Sequence, residues 1–354
     1  MEFEKPHRTE LSELGEFGLI DHLTKQISLK NKSSVKGVGD DAAVIENGDK
    51  LTLVTTDLLV EGVHFDMSYT PLKHLGYKAA AVNISDIVAM NGVARQMILG
   101  ISVSNRYSVE ALEEFYNGIY QACKVYGVDV VGGDTTSSIT GFFISVTVIG
   151  EVEKGSEVYR STARKGDLVC VSGDLGSAYM GLLLLEREKT VFKADPGIQP
   201  DLEGHDYILQ RQLKPEPRAD IIRILKEKGV KPTAMIDISD GLSSEILHIC
   251  RDSGLGSALY EEKIPIDPAT INMAEEFGIN PVTAALNGGE DYELLFTIDP
   301  KDFDTIRLIP NISIIGHMTD QSEGVNLIAS DNSLITIKAQ GWDALSTDKL
   351  KIKN

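Results

Sequence analysis

The strongest constraint on what this chain can fold into is the recurrence of carboxylates at the ends of apolar runs. The stretch GVGDDAAVI, residues 37–45, sets Asp40 and Asp41 between a glycine-rich turn and a run of buried character. The arrangement returns in VTTD ending at Asp57, NISD ending at Asp86, VVGGDTT around Asp134, MIDISDG with Asp237 and Asp240, and NGGEDYE with Glu290 and Asp291. Alone, an Asp beside Gly, Ser or Thr is an ordinary turn or cap residue that bonds its own backbone. Asp41, Asp57, Asp86, Asp134 and Asp237, however, all border apolar elements expected to meet in one core. Buried carboxylates need basic partners or cations beside them, and few Lys or Arg lie near these motifs. An oxygen ligand set without matching Cys or His suits Mg²⁺, bound through carboxylates and substrate phosphates. The pattern reads as that of a magnesium-dependent, phosphate-handling enzyme.

Length and charge narrow the setting. At 354 residues the chain exceeds what one core usually supports, so two domains are expected, with the boundary at about 152–160. A net charge of −19 makes nucleic acid or an anionic membrane a poor partner unless cations intervene. Cys123, Cys170 and Cys250 lie far apart without paired spacing, which predicts buried thiols in a reducing compartment. The opening MEFEKPHRTE lacks the apolar core of a secretion signal, and no run reaches the ~18 apolar residues of a membrane span. A cytoplasmic location is the expectation.

Local patterning predicts mixed elements. Apolar spacing at Phe17, Ile20, Leu23 and Ile27 is helical, and AAVIE and LTLVTTD are strands joined by an Asn-Gly turn. Residues 71–91 form a proline-led, Ala-rich helix with Asp86 inside it, where Asp has poor propensity. Ser108 starts another helix, and FFISVTVIGEV, residues 142–152, is the clearest strand. The first half lacks strict β-α alternation, so the class is α+β with helices on one face of a mostly antiparallel sheet. Beyond residue 160 come a strand DLVCVSG, a helix from about Ser177 to Arg187, and a strand turning into a helix capped at Ser239 or Asp240. Residues 189–208 show no usable periodicity and read as an exposed loop.

Other chemistries are excluded or weak. No G-x-x-x-x-G-K-[ST] is present, which excludes a P-loop, and the loose G-x-G-x-x-A of GVGDDA places two carboxylates where a pyrophosphate would sit. His64 is either an ordinary half-buried imidazole or a ligand contact. Arg160 is either a solvated linker residue or, where a cleft between the halves would open, a phosphate contact.

Taken together, GVGDDAAV, TTDLLVEGVHF, KAAAVNISDIVAMNG, VVGGDTTSS, IDISDGLSSEI, NGGEDYELLF and IGHMT resemble the thiamine-monophosphate kinase family, in its motif order, from about residue 14 to 342. That family belongs with the ATP-using aminoimidazole ribonucleotide synthetase-like superfamily. The resemblance implies two domains, 1–155 binding ATP and Mg²⁺ and 156–354 closing the cleft as an α/β sandwich, with N-terminal sheets pairing across a homodimer. It implies phosphorylation of thiamine monophosphate by ATP with several Mg²⁺ ions. Asp41, Thr55, Thr56, Asp57, Asp86, Asp134, Asp237 and Asp240 would hold metal. Tyr116, Gly133, Asp134, Arg160 and Ser239 would meet ATP, and His64, Glu290 and Trp342 the thiamine phosphate. The family's C-terminal aromatic-Asp-His-aromatic ending reads WDAL here, and the 189–208 segment is longer than the compact form expected. A phosphate monoester is largely a dianion at neutral pH, so no general base is expected. Superfamily alternatives are ring closure, or selenium activation, which would favour a reactive residue before Cys123. A non-catalytic cation- or nucleotide-binding module is the alternative from another class.

Overall fold

The computed structural model describes residues 11–339. α1 (Leu11–Thr24) leads to β1 (Ser34–Lys36), and the Asp40–Asp41 turn delivers the chain to β2 (Ala43–Asn47). β2 returns as β3 (Lys50–Val60) through a tight turn in which Gly48 takes φ +64°, the left-handed conformation such hairpins demand. α2 (Leu72–Ala89), β4 (Val93–Val103), α3 (Val109–Tyr126), β5 (Asp129–Ser137) and β6 (Phe143–Glu153) follow. Ser108 caps α3 by accepting from the Ala111 amide. The six strands form one sheet in the order β1-β2-β3-β6-β4-β5, antiparallel throughout except for the parallel β4–β5 edge.

The rest of the chain builds a second sheet. Its elements are β7 (Leu168–Ser172), α4 (Ser177–Ala194), α5 (Asp206–Leu213), α6 (Ala219–Glu227), β8 (Ala234–Asp237), α7 (Leu242–Ser253), β9 (Leu255–Tyr260) and α8 (Pro268–Glu276). α9 (Pro281–Asn287), β10 (Leu294–Ile298), α10 (Phe303–Ile306), β11 (Ile312–Asp320), β12 (Val325–Ile328) and β13 (Leu334–Thr336) complete it. The strand order is β13-β12-β9-β11-β7-β10-β8, with β12–β9 the parallel pair. Strand alternation gives this sheet two apolar faces. Val169, Val171, Ile236 and Leu295 pack with Leu242, Ile246 and Ile249 of α7. Cys170, Met235 and Phe296 face the other way, joining α6 and the core of the first sheet. The protein is therefore α+β, as expected, with two mixed sheets, and one apolar cluster runs across both halves.

α2 lies at the centre of that shared core. Every residue from Leu75 to Ala89 is buried except Asp86, which is half-buried, and a helix that is apolar all round must be enclosed on all sides. α3 approaches it so closely that a Cβ on Gly76 would stand 1.9 Å from the Phe115 carbonyl oxygen. Only glycine fits there.

Two local expectations are corrected. The segment 189–208 is not all loop: α4 continues to Ala194 and α5 begins at Asp206. The Thr190 hydroxyl back-bonds to the Glu186 carbonyl at 2.8 Å, and Glu188 accepts the Asp201 amide at 2.8 Å, tying the connection down. The cap of α7 is Gly241 at φ +113°, not Ser239 or Asp240. Glu245, from the first turn, reaches back instead to accept the Asp240 amide at 2.9 Å.

Candidate active site

The site is assembled where α2 meets the ends of both sheets. Asp41 comes from the turn before β2, Asp86 from α2 and Asp237 from the last residue of β8, and one carboxylate oxygen of each lies within 4.8 Å of the others. Side chains fix their rotamers. Thr55 on β3 donates to Asp86 Oδ2 at 2.5 Å, Ser85 donates to Asp237 Oδ2 at 2.5 Å, and Arg160 pairs with Asp41 Oδ1. The Arg160 amide also bonds Asp40 Oδ1 at 3.2 Å. Asp57 follows Thr55 on the same face of β3, and its amide is held by Asn83 Oδ1 of α2 at 2.9 Å.

The electrostatics follow from carboxylates gathered beside one ion pair, that of Asp41 with Arg160. Burial, with the charge of Asp41 next, pushes Asp237 up to about 7. Burial alone carries Asp57 to about 6. Asp86 is raised well above the ordinary carboxylate range by burial and then by Asp57 and Asp237. Asp41 is raised by burial against the opposing pull of Arg160, and its Oδ2 is buried without a hydrogen-bond partner. An orphaned carboxylate oxygen in an oxygen-only donor set fits a hard divalent cation. Burial and mutual repulsion both favour the protonated forms of these groups when no cation is beside them.

The remaining expected residues divide. The turn after β8 carries Ser239 and Asp240, and its backbone is bonded to the NGGED loop, with the Glu290 amide donating to the Ser239 carbonyl at 2.7 Å. Glu290 itself has φ +69°. His64 accepts the Val60 amide on Nδ1 at 3.0 Å, and burial lowers its pKa. Thr56 points the other way: alternation puts it on the outer face of β3, against the Thr147 hydroxyl at 3.0 Å. Asp134 is exposed on β5 opposite Gly100, in register with outer-face Ser145, and its Oδ1 accepts the Thr135 amide. Three strand spacings, ~14 Å, separate β5 from β3. Gly133 has its own packing reason, since a Cβ there would lie 2.0 Å from the Leu99 carbonyl oxygen. Tyr116 lines an open groove of about 360 Å³ along α3 with Val109, Leu112 and Tyr120. Trp342 lies outside the described residues.

Sequence reasoning missed Asn83, Ser85, Lys78 and Glu245. The first two stand beside Asp86 in NISD, polar residues in an otherwise Ala, Val and Ile helix, and that was a usable signal.

Residues 39–152 match the model of the family described as AIR synthase related protein, N-terminal domain. The thiamine-monophosphate kinase of Aquifex aeolicus (strain VF5) is 39% identical over 292 residues, covering 82% of this chain and 88% of that protein. This chain belongs to the thiamine-monophosphate kinase family. The thiamine-monophosphate kinase of Bacillus subtilis (strain 168) is 32% identical over 336 residues, 93% of this chain and 99% of its own length. Among solved structures, AaThiL complexed with AMPPCP and TMP superposes with a TM-score of 0.81 at 36% identity, over 95% of this chain and 99% of that one. The HypE–HypF complex, with a TM-score of 0.67 at 18% identity over 91% of this chain and 99% of that one, shares the fold alone.

Proposed function

We propose that this chain phosphorylates thiamine monophosphate to thiamine diphosphate with ATP, by direct in-line transfer of the γ-phosphoryl group. The observation that carries the reading is the convergence of Asp41, Asp86 and Asp237 where the two sheets meet, in a chain of this family. In the transfer, a terminal oxygen of the acceptor phosphate forms a bond to the γ-phosphorus. The bond from that phosphorus to the β-bridging oxygen breaks, and ADP leaves with the electron pair. The acceptor is already a dianion, so no residue is needed as a general base.

The work left to the chain is to hold two anions in line. Mg²⁺ held by Asp41, Thr55, Asp57, Asp86, Asp237 and Asp240 would supply charge neutralisation between them, while Thr56 and Asp134, on the outer face, would serve only a separate ion. Thr55 and Ser85 orient Asp86 and Asp237 for that task. Tyr116, Gly133, Asp134, Arg160 and Ser239 would contact ATP, with Arg160 shared between Asp41 and a phosphate. His64, Glu290 and Trp342 would meet the thiamine phosphate. Acidity around the site suits its cationic thiazolium end.

The same reading divides the chain into an ATP- and metal-binding unit, 1–155, and a cleft-closing unit, 156–354. A homodimer pairing the first sheets is supported by the apolar residues left on that sheet's outer face, Leu58 at 57% and Ile98 at 41% exposure. No described helix is long and apolar enough to cross a membrane, consistent with a cytoplasmic site of action.

The test is transfer from γ-labelled ATP to thiamine monophosphate with and without Mg²⁺, with thiamine and an amidine as control acceptors. Label in thiamine diphosphate only with the monophosphate and metal is expected. ADP release driven by the amidine would move the protein to ring closure, and label trapped on the protein after ATP alone would refute direct transfer. Metal binding without any turnover would leave a binding module.

A further inference from the structure

Lys78 is an ammonium group inside a helix that is otherwise enclosed by apolar packing. Its side chain is only 4% exposed. It reaches out of α2 to elements far along the chain, donating to Glu290 Oε2 at 2.7 Å and to the Gln212 carbonyl at 3.1 Å. Gln212 turns its own amide onto the same carboxylate oxygen, at 2.8 Å. Both bonds therefore fall on Oε2, and among the described residues no other hydrogen bond reaches Oε1. The Glu290 side chain is 28% exposed.

The backbone beneath Glu290 is equally constrained. Its φ of +69° is unusual for a residue with a side chain. It is held there by the bond from its amide to Ser239 and by Gly289, where a Cβ would stand 2.4 Å from the Ser239 carbonyl oxygen. Strain of this kind persists where surrounding structure over-determines a position. A buried ammonium is expensive unless paired, and a Leu or Met would fill the same volume without that cost. His64 stands in the field of both charges, with Nδ1 occupied by the Val60 amide.

We propose that Lys78, with Gln212, is a positioning residue that pins one oxygen of Glu290 so that the other is presented as a fixed acceptor for an amine-bearing heterocycle, the aminopyrimidine end of the phosphate acceptor. Lys78 touches neither substrate and acts through Glu290 alone. The proposal rests on the reading of Glu290 as a substrate contact.

The test is a kinetic double-mutant cycle on the full chain, with Lys78→Met, Glu290→Gln and the double variant, measuring kcat and both KM values. Lys78→Met is expected to raise KM for thiamine monophosphate about 10- to 100-fold, the scale of one charge-assisted contact, while KM for ATP stays within about twofold. The double variant is expected to match Glu290→Gln, because the two residues act as one unit. Gln212→Leu, which leaves α2 untouched, should raise the same KM by a smaller factor, and it decides the matter if Lys78→Met does not fold. An unchanged acceptor KM in Lys78→Met beside a raised one in Glu290→Gln overturns the positioning role. So do parallel rises in both KM values, or additive effects in the cycle. An unchanged acceptor KM in Glu290→Gln overturns the substrate-contact reading itself, and the proposal with it.

Discussion

Asp237→Asn in the absence of metal should make the protein more stable at pH 8, and the size of the gain follows from the site. Asp237 is raised from an ordinary 3.8 to about 7, chiefly by burial. Below pH 3.8 the folded and unfolded chains both carry the proton. Between the two values the unfolded chain releases it while the folded one keeps it, so stability falls as pH rises, and above 7 the full deficit is present. At ~1.4 kcal/mol per pH unit, the span from pH 5 to 7 is worth roughly 3 kcal/mol. Asn is neutral throughout and can still accept from Ser85. The stability offset between variant and wild type should therefore shift by roughly 3 kcal/mol in favour of the variant between pH 5 and 8. Removing the charge also relieves Asp86, which Asp237 helps to raise, and this adds in the same direction. His248, lowered to about 4 mainly by burial, has the opposite pH dependence, but both proteins contain it and it drops out of the offset. The assay is urea unfolding at both pH values in chelator, with linear extrapolation. Saturating Mg²⁺ should narrow the gap, since binding to the folded wild type alone adds about 2.7 kcal/mol at 100-fold excess over Kd. An offset identical at pH 5 and 8, or an Asn variant weaker than wild type at pH 8 in chelator, would refute the reasoning.

Arg160 tests the same balance from the cationic side. Arg160→Met leaves Asp41 buried without its partner, and unfolding at pH 8 in chelator should show a loss of about 3–5 kcal/mol, partly recovered by Mg²⁺. Asp134 predicts the reverse profile: exposed on β5, it should tolerate Asn within ~0.5 kcal/mol of unfolding free energy. Transfer from labelled ATP should nonetheless fall about 100-fold in Asp134→Asn, as for loss of one charge-stabilising group. Wild-type turnover would remove Asp134 from the metal- and nucleotide-binding set.

Much of the architecture was legible because its signals are local. The β2–β3 hairpin follows from alternating apolar residues around a left-handed glycine, α3 from Ser108 at its start, and β6 from β-branched alternation. The same period of two could have separated Thr56 from Thr55 and Asp57, since adjacent residues on a strand face opposite ways. The continuation of α4 through Lys189 and Thr190 was less visible, because its charged residues obscure an apolar stripe. The cap of α7 was misplaced because Glu245 supplies from within the helix the bond that Ser239 or Asp240 was expected to make.

By itself the sequence determined which side chains are carboxylates, which elements carry them and that they stand at element ends, since those properties depend on neighbours within a few residues. Tertiary structure decided that Asp41, Asp86 and Asp237 converge while Asp134 stands on an outer face. It also decided that Lys78 finds a carboxylate 212 positions away. Burial, pKa and charge compensation are properties of what surrounds a group in space. For these residues the surroundings come from both sheets and from the one helix enclosed between them.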